Sequence, residues 1–456
     1  MSYQYRGDMR PYEHQLATIK FMLANKRGYV FNDMGTGKTP STLWFFDMLR
    51  SANHVKTMLV IAPLSTLQAV WGNEIEKMVP HLSYAICHGN RASRIESFQS
   101  KCDIYITNTD AVRTYEKEIV ELNPDVIAID EVTAFANHGS KRSKAMQRIS
   151  TRCKSIFGLS GNPVAGGLIN SYGIAKVINP KQLPTRYYTQ YRNMILNQVT
   201  MYEYVEKPGA LDIVNSVLQP AISYRLEECV DIPPIVFETR KVKLPKPTMD
   251  LFKEMVDHQI AEYKEGIITA ATAGVKAIRL GQILTGCTKT EEGELIKTDV
   301  GPMHLELVDI YHESGNKLVV FTQSVAAVVQ INEFFKKKKI KCNMIYGKVP
   351  QGKRDRIITD FQDSDEGVLV AQVRTMSHGI TLTKSHVIAF FGVVAGNETY
   401  RQAIRRIRRI GQTHRQTIIK LISTKFEEKS FQKLDSAEFT SDAMLEMYKK
   451  GMSEFI

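Results

Sequence analysis

The chain is poor in cysteine and has no long apolar run. Six of its 456 residues are cysteine, and they form neither the C-x-x-C pairs of a zinc site nor the spacing of a disulfide framework. No segment reaches the roughly 20 apolar residues that a membrane helix needs, and the N-terminal residues lack the apolar stretch of a signal peptide. We therefore expect a soluble, cytoplasmic protein with reduced cysteines and no membrane partner.

Repeats, aromatic ladders and an acidic balance are also missing. The sequence shows no period of the kind that builds solenoids, and its aromatic residues do not form the series of a dedicated single-strand binder. Lysine and arginine number 60 against 48 acidic residues, which gives a net charge of +12. Six arginines and no acid lie between residues 401 and 415. This imbalance favours association with polyanions, although a basic protein without such a partner could have the same composition.

The chain does contain enough apolar sequence for two cores. Hydrophobic residues make up 43% of it, and single cores stop growing at roughly 250–300 residues. Short apolar runs alternate with longer helical patterns, which is typical of parallel strands covered by helices on both faces. The strand candidates are Gly28–Phe31, Met58–Ala62, Asp103–Thr107, Val126–Asp130, Ser155–Ser160, Leu318–Phe321, Cys342–Tyr346, Gly367–Ala371, Val387–Phe391 and Thr417–Leu421. The pattern predicts an α/β fold.

One interruption divides the alternation into two series. Proline-containing mixed sequence and a helical pattern from Thr248 to about Cys287 separate the two sets of strand candidates. We predict a first lobe at residues 1–225, a linker and helical insert at residues 226–300, and a second lobe at residues 301–456. Each lobe should bury its own sheet between helices.

A glycine-rich turn, here called the phosphate loop, covers residues 32–39 and reads NDMGTGKT. It follows a predicted strand and precedes a helical pattern, which is the context in which such a turn binds phosphate. The expected backbone donors to the anion are Gly35, Thr36 and Gly37. Lys38 would reach the β- and γ-phosphates of ATP, and the Thr39 hydroxyl would ligate Mg²⁺. Asn32 stands where the first glycine of such a loop usually lies, and a plain glycine turn is the alternative interpretation.

Two carboxylates follow the apolar residues of the strand candidate Val126–Asp130. Asp130 would hold Mg²⁺ through a water molecule, and Glu131 would orient and deprotonate the water that attacks ATP. Paired acids are often no more than a solvated strand end. This pair follows four apolar residues and lies about 90 residues after the phosphate loop, so it predicts the acidic half of a nucleotide-hydrolysing site.

Several further segments occur in a characteristic order. Those of the first lobe are Arg10–Gln15, Asp33–Thr39, Ala62–Ser65 with Trp71 and Glu74, Asp130–Glu131 and Leu159–Pro163. Those of the second lobe are Val319–Gln323, Arg354 with Phe361, His378–Leu382 and Gln402–Gln412. The last segment, Q-A-x-x-R-x-x-R-I-G-Q, is the most specific. Together they resemble the Swi/Snf-type branch of the superfamily-two helicases and translocases, closest in style to compact phage and prophage DNA helicases.

The resemblance implies two RecA-like lobes, with parallel sheets flanked by helices and an ATP site in the cleft between them. It implies ATP and Mg²⁺ as cofactors, Gln15 as the reader of adenine, and Gly379 as a further nucleotide contact. Arg406 and Arg409, which are three residues apart and expected on one face of a helix, are implied as arginine fingers. The catalytic set is then Lys38, Asp130, Glu131, Arg406 and Arg409.

Contacts with nucleic acid should go mainly to phosphates and should not read sequence. The candidates, each of which could equally be a strand-end cap or a turn residue, are Ser65, Thr107, Thr109, Thr322, Gln323 and Arg374. Trp71 is interpreted as a core residue rather than a platform for base stacking. The expected partner is duplex or branched DNA, and a monomer is the working expectation.

Three functions stay open at this point. The first is a translocase that remodels duplex or branched DNA by branch migration, fork remodelling or strand reannealing, in the bacterial cytoplasm or in the host of a phage. The second is a strand-separating DNA or RNA helicase, and the third is a nucleotide-bound scaffold with little turnover. The complete catalytic set speaks against the scaffold. The Q-A-x-x-R-x-x-R-I-G-Q segment favours translocation, and no wedge hairpin is evident in the sequence.

Overall fold

The computed structural model describes residues 3–436 apart from residues 8, 165, 201–203, 259, 264–265, 270–272, 290–293, 377–380 and 410. The chain divides into two compact units between Asp231 and Ile232. This division lies shortly after the predicted end of the first lobe at residue 225, and residues 232–300 of the predicted linker and insert belong to the second unit. Within the described ranges, no helix has the length and apolar character that crossing a membrane requires.

The first unit is built on a parallel sheet of seven described strands. The unit has nine described strands, seven in this sheet and two in a hairpin: β1 (Arg27–Val30), β2 (Met58–Ala62), β3 (Tyr84–Ile86), β4 (Ile104–Asn108), β5 (Val126–Asp130), β6 (Ser155–Leu159), β7 (Leu196–Gln198), β8 (Tyr204–Glu206) and β9 (Ala221–Ile222). The order in the sheet is β3-β4-β2-β5-β6-β1-β9, and every neighbouring pair is parallel. β7 and β8 form a separate antiparallel hairpin.

Helices cover both faces of this sheet. They are α1 (Glu13–Ala24), α2 (Lys38–Ser51), α3 (Asn73–Met78), α4 (Arg91–Gln99), α5 (Ala111–Thr114), α6 (Glu116–Leu122), α7 (Lys141–Ser150), α8 (Ser171–Ile178), α9 (Tyr188–Ile195), α10 (Ala210–Val217) and α11 (Leu226–Cys229). In β2, Leu59 and Ile61 face one hydrophobic cluster, whereas Met58 and Val60 face the other. Successive strand residues point to opposite faces, so the continuous apolar runs of the sequence are those of a sheet buried on both sides.

The second unit repeats this architecture with six described parallel strands in one sheet. The unit has ten described strands, six in this sheet and four in two antiparallel hairpins (β11 with β12, β13 with β14): β10 (Ile235–Lys241), β11 (Ile260–Tyr263), β12 (Gly266–Thr269), β13 (Cys287–Lys289), β14 (Leu295–Lys297), β15 (Lys317–Thr322), β16 (Cys342–Ile345), β17 (Gly367–Gln372), β18 (Val387–Phe391) and β19 (Gln416–Ile422). The order in the sheet is β10-β19-β18-β15-β17-β16. Its helices are α12 (Lys246–His258), α13 (Ala273–Leu284), α14 (Gly301–Glu313), α15 (Val325–Lys337), α16 (Gln351–Asp363), α17 (Asn397–Ile404) and one at residues 425–436.

The predicted fold class is confirmed, since each unit has a parallel sheet flanked by helices. Each of the ten strand candidates overlaps a strand of one of the two sheets. Buried apolar runs of four to six residues favour such strands because helices exclude water from both faces.

The predicted helical stretch from Thr248 to Cys287 is wrong, because strands interrupt it. α12 ends at His258, α13 begins at Ala273, and β11 pairs with β12 between them. Three β-branched residues, Ile267–Thr269, follow Gly266 in this segment. Side chains branched at Cβ lose rotamer freedom in a helix and pack well in a strand, so this run favours the hairpin.

A buried carboxylate caps the helix at residues 425–436. Glu427 is 1% exposed, and its Oε2 accepts hydrogen bonds from the backbone N–H groups of Ser423 (2.7 Å) and Thr424 (3.2 Å) and from the Thr424 hydroxyl (3.2 Å). Burial raises the pKa of Glu427 from its ordinary 4.5 to about 7, although the hydrogen bonds act in the opposite direction.

This pKa makes the stability of the second unit depend on pH. The folded-state pKa lies above that of the unfolded chain, so the contribution of Glu427 is fully present below the ordinary value and is lost as the pH rises through about 7. We expect the uncharged Glu427→Gln variant to gain stability relative to the wild type between pH 5 and pH 8, by on the order of 2–3 kcal/mol. Denaturant unfolding at both pH values measures this, and a constant difference between the two proteins would contradict it.

Candidate functional site

The carboxyl edge of the first sheet gathers the predicted phosphate and acidic residues. β1 leads into the phosphate loop, β5 ends at Asp130, and β6 leads into Ser160. These strands are neighbours in the order β5-β6-β1. Because they are parallel, their carboxyl ends lie at the same edge, where ligands of open α/β sheets bind.

The phosphate loop has the backbone conformation that its glycines permit. Gly35 and Gly37 adopt positive φ angles of +86° and +81°, a region that side chains with a Cβ rarely occupy. α2 begins at Lys38, directly after Gly37. The Lys38 ammonium donates to the backbone carbonyls of Asn32 (2.8 Å) and Asp33 (3.0 Å). The lysine therefore folds back over its own loop, at the N-terminus of a helix.

The start of α1 contacts this loop closely. The Gln15 side-chain amide donates to the Thr36 carbonyl at 3.2 Å, and the His14 Nε2 lies 2.8 Å from the same oxygen. A Cβ at Gly37 would lie 2.0 Å from the Gln15 Nε2, so this contact requires glycine. Sequence reasoning singled out Gln15 within the segment Arg10–Gln15 but not the neighbouring His14 of the same segment.

Asn32, which departs from the usual glycine, links the loop to the same helix. It is 1% exposed, and its Nδ2 donates to the Thr18 hydroxyl at 2.9 Å. The side chain therefore occupies the space between the loop and α1, where a glycine would leave the Thr18 hydroxyl without this donor.

Asp130 receives a hydrogen bond from a tryptophan. The Trp71 Nε1–H donates to the Asp130 Oδ2 at 3.1 Å. Burial of the carboxylate raises the pKa of Asp130, whereas the Trp71 hydrogen bond and the positive charge of Lys38 lower it. Trp71 is fully buried, as predicted for a core residue, but the sequence did not reveal its bond to Asp130.

Glu131 and Thr39 complete this edge. Glu131 has a φ angle of +54°, a conformation that is uncommon for a residue other than glycine and often occurs at functional sites. Thr39 lies in the first turn of α2 and remains partly exposed. The edge thus combines a cation, two carboxylates and a hydroxyl with the amides of a helix N-terminus.

The nucleic-acid candidates of the first unit differ in exposure. Ser65 is exposed and Thr109 is partly exposed, and they follow β2 and β4 at the same edge of the sheet. Thr107 is fully buried, and its hydroxyl donates to the Cys87 carbonyl at 3.2 Å. Its side chain is therefore unavailable at the surface.

The candidates of the second unit lie at the carboxyl ends of β15 and β17. Arg374 is exposed and Gln323 is partly exposed. The backbone N–H of Ala395 donates to the Gln323 Oε1 at 3.4 Å. Thr322 is fully buried, so its side chain, like that of Thr107, belongs to the interior.

The two predicted arginine fingers differ in their surroundings. Arg406 is 1% exposed, and its Nε donates to the Gln402 carbonyl at 2.9 Å. Arg409 is partly exposed, its Nη1 donates to the Thr381 hydroxyl at 2.8 Å, and burial lowers its pKa to about 10. They do not share a helix face, because α17 ends at Ile404 and both residues lie in turns beyond it. Gly379 lies outside the described residues.

Two protein families match the chain in consecutive regions. The SNF2-related domain matches residues 14–291, and the helicase conserved C-terminal domain matches residues 303–411. The first match covers more than half of the chain and includes the phosphate loop and Asp130. The second includes Arg374, Arg406 and Arg409.

Curated proteins with similar sequences come from cells and from a phage. The ATP-dependent DNA helicase DDM1 of Arabidopsis thaliana is 23% identical over 94% of this chain and 61% of its own length. An uncharacterized ATP-dependent helicase of Mycoplasma genitalium is 22% identical over 91% of this chain and 40% of its own length. Protein p41 of Acyrthosiphon pisum secondary endosymbiont phage 1 is 24% identical over 87% of this chain and 88% of its own length. The chain thus spans less than two thirds of the first two relatives.

Proposed function

Because the chain belongs to the SNF2-related family, we propose that it is an ATP-hydrolysing motor that translocates on duplex or branched DNA. This membership confirms the resemblance seen in the sequence, and the phage protein p41 supports its likeness to compact phage helicases. One observation carries the proposal. The phosphate loop and the Asp130–Glu131 pair lie at one edge of the sheet, at the carboxyl ends of the neighbouring strands β5, β6 and β1.

We propose the following roles for these residues in hydrolysis. The transferred phosphoryl group carries spread negative charge in the transition state, so the protein acts by positioning and charge stabilisation. Lys38 exchanges its contacts with two loop carbonyls for the β- and γ-phosphates, which the amides of Gly35–Gly37 also bind. Glu131 orients and deprotonates the attacking water. Arg409 stabilises the developing charge. The buried Arg406 holds the neighbouring backbone through its hydrogen bond to the Gln402 carbonyl.

The oxygen donors at this edge fit Mg²⁺. Thr39 offers a hydroxyl and Asp130 a carboxylate, which are the hard ligands that this ion prefers. With Asp130 Oδ2 bonded to Trp71, its Oδ1 is the oxygen that we propose faces the hydrated ion. When bound, Mg²⁺ neutralises charge on the phosphates.

DNA is the proposed partner, bound through its phosphates. The net charge of +12 supports a polyanionic partner, and the name of the Arabidopsis relative supports DNA. We propose Ser65, Thr109, Gln323 and Arg374 as contacts because their side chains reach the surface at the carboxyl edges of the two sheets. Such contacts hold the backbone and leave the sequence unread. Remodelling of branched DNA by branch migration, fork remodelling or reannealing is the activity that we propose.

A comparison of nucleic acids tests the proposed function. We expect ATP hydrolysis to be stimulated at least about tenfold by duplex, forked or four-way-junction DNA and less by single-stranded DNA or RNA of equal length. The Glu131→Gln variant, which retains the phosphate loop, is the control for contaminating ATPases and should bind ATP without turnover. Equal stimulation by single strands and RNA would favour a strand-separating helicase. Absence of hydrolysis with every nucleic acid would favour a scaffold and contradict the proposal.

A further inference from the structure

The chain has two tryptophans, and both lie in the same hydrophobic cluster of the first unit. Trp44 is 1% exposed and Trp71 is 0% exposed. Their indole N–H groups differ. That of Trp71 donates to Asp130, whereas that of Trp44 has no hydrogen-bond partner among the described residues. The core therefore contains a natural pair of indoles that are alike in burial and differ in one polar contact.

Trp71 reaches Asp130 from an unusual element. Residues Leu67–Gly72 form a π-helix that continues into α3. π-helical turns are rare and frequently occur at functional sites. The local backbone thus departs from the regular α-helix where Trp71 is presented to Asp130.

The hydrogen bond fixes one of the two oxygens of the carboxylate. An aspartate at a strand end can rotate about its terminal torsion, which is broad and roughly two-fold. The indole N–H is a donor only and sits on a rigid, buried ring. Its bond to Oδ2 therefore holds the carboxylate plane and leaves Oδ1 turned away from the indole.

We propose that Trp71 is a positioning residue that orients Asp130 for the Mg²⁺-bound nucleotide. The inference rests on the proposed ATPase function, because it concerns the same carboxylate. Residues that orient a metal ligand from behind typically change metal affinity or activity about 10–100-fold when they are replaced. A tryptophan that only fills the core would instead act through the stability of the fold.

The matched variants Trp71→Phe and Trp44→Phe separate these two roles in the full chain. Each removes one buried indole from the same cluster, but only the first removes a bonded N–H. We expect Trp71→Phe to raise the Mg²⁺ concentration for half-maximal ATPase activity about tenfold. Binding of a fluorescent ADP analogue in EDTA should remain within about twofold of wild type, since the phosphate loop is intact. Trp44→Phe should leave both values unchanged.

A second measurement does not depend on the folding of Trp71→Phe or on turnover. In ¹⁵N-tryptophan-labelled protein, the Trp44→Phe variant assigns the two indole N–H resonances. We expect the Trp71 resonance to move when Mg²⁺ is added to the ADP-bound protein and to move in the Asp130→Asn variant, while the Trp44 resonance stays in place.

The outcomes distinguish this inference from the proposed function. Two results would overturn the role of Trp71. One is an equal Mg²⁺ dependence of ATPase activity in the two phenylalanine variants. The other is a Trp71 resonance that moves neither on addition of Mg²⁺ nor in the Asp130→Asn variant. A wild-type protein that hydrolyses no ATP would overturn the proposed function, and the resonance would still report whether Trp71 is coupled to Asp130.

Discussion

Replacing Lys38 by alanine is expected to reduce ATP hydrolysis by about 10²–10³-fold, the loss typical when one preorganised donor to a charged transition state is removed. The Lys38 ammonium is already held at the loop, 2.8 and 3.0 Å from two of its carbonyls. It can therefore reach a bound phosphate with little rearrangement. ATP affinity should also fall, because the same charge acts on the ground state. Steady-state ATPase assays and equilibrium binding of a fluorescent nucleotide measure both effects.

Lys56 offers a matched control for this variant. It is exposed just before β2, at the amino edge of the same sheet and thus opposite the phosphate loop. Lys56→Ala removes the same charge from the same unit and should leave hydrolysis unchanged. Near-normal hydrolysis by Lys38→Ala would show that residues 32–39 are a structural turn.

Replacing Arg409 by alanine is expected to leave nucleotide binding nearly unchanged and to slow hydrolysis by on the order of 10³-fold. Binding depends on the phosphate loop, which the substitution does not touch. The proposed contact of Arg409 forms mainly as charge develops on the phosphoryl group, so its loss acts on turnover. Although burial lowers the pKa of Arg409 to about 10, the guanidinium remains protonated at neutral pH. Nucleotide binding and ATPase rate at saturating DNA measure the two effects separately.

Arg415 provides the control, because it is an exposed arginine of the same basic segment. If these arginines act mainly as contacts to DNA phosphates, both variants should weaken DNA binding and regain full hydrolysis at saturating DNA. We expect this recovery for Arg415→Ala alone. Full recovery of Arg409→Ala with increasing DNA would remove it from the proposed catalytic set.

The sequence predicted those strands that show a continuous apolar run, and it missed the seven-residue β10, in which polar residues follow only three apolar ones. β2, β5 and β18 have the predicted bounds. All five residues of β2 and β18 are apolar, and β5 has four apolar residues followed by Asp130 at the edge of the sheet. β3 and β9 were missed because three and two residues are too few to show a period. The hairpin of β11 and β12 was missed because its short strands lie between two helical patterns.

The candidate site was predictable where its chemistry is local in sequence. The phosphate loop combines its glycines, lysine and threonine within eight residues. The bond between Trp71 and Asp130 joins residues 59 positions apart, and packing alone determines such a contact. The burial of Thr107, Thr322 and Arg406 could not be predicted from the sequence either, because it depends on which neighbouring elements cover the end of a strand or a turn.

Three side chains of α1 hold the phosphate loop, and this has a thermodynamic consequence. His14 and Gln15 contact the Thr36 carbonyl, and Thr18 accepts a hydrogen bond from Asn32. Opening of α1 and opening of the loop are therefore linked equilibria. A nucleotide that binds only the ordered loop should therefore also protect α1 from those local openings that break these contacts. The coupling is reciprocal. A molecule that docks on the exposed Leu16 and Leu23 and favours the ordered state of α1 should tighten nucleotide binding, by the same factor by which the nucleotide tightens the binding of that molecule.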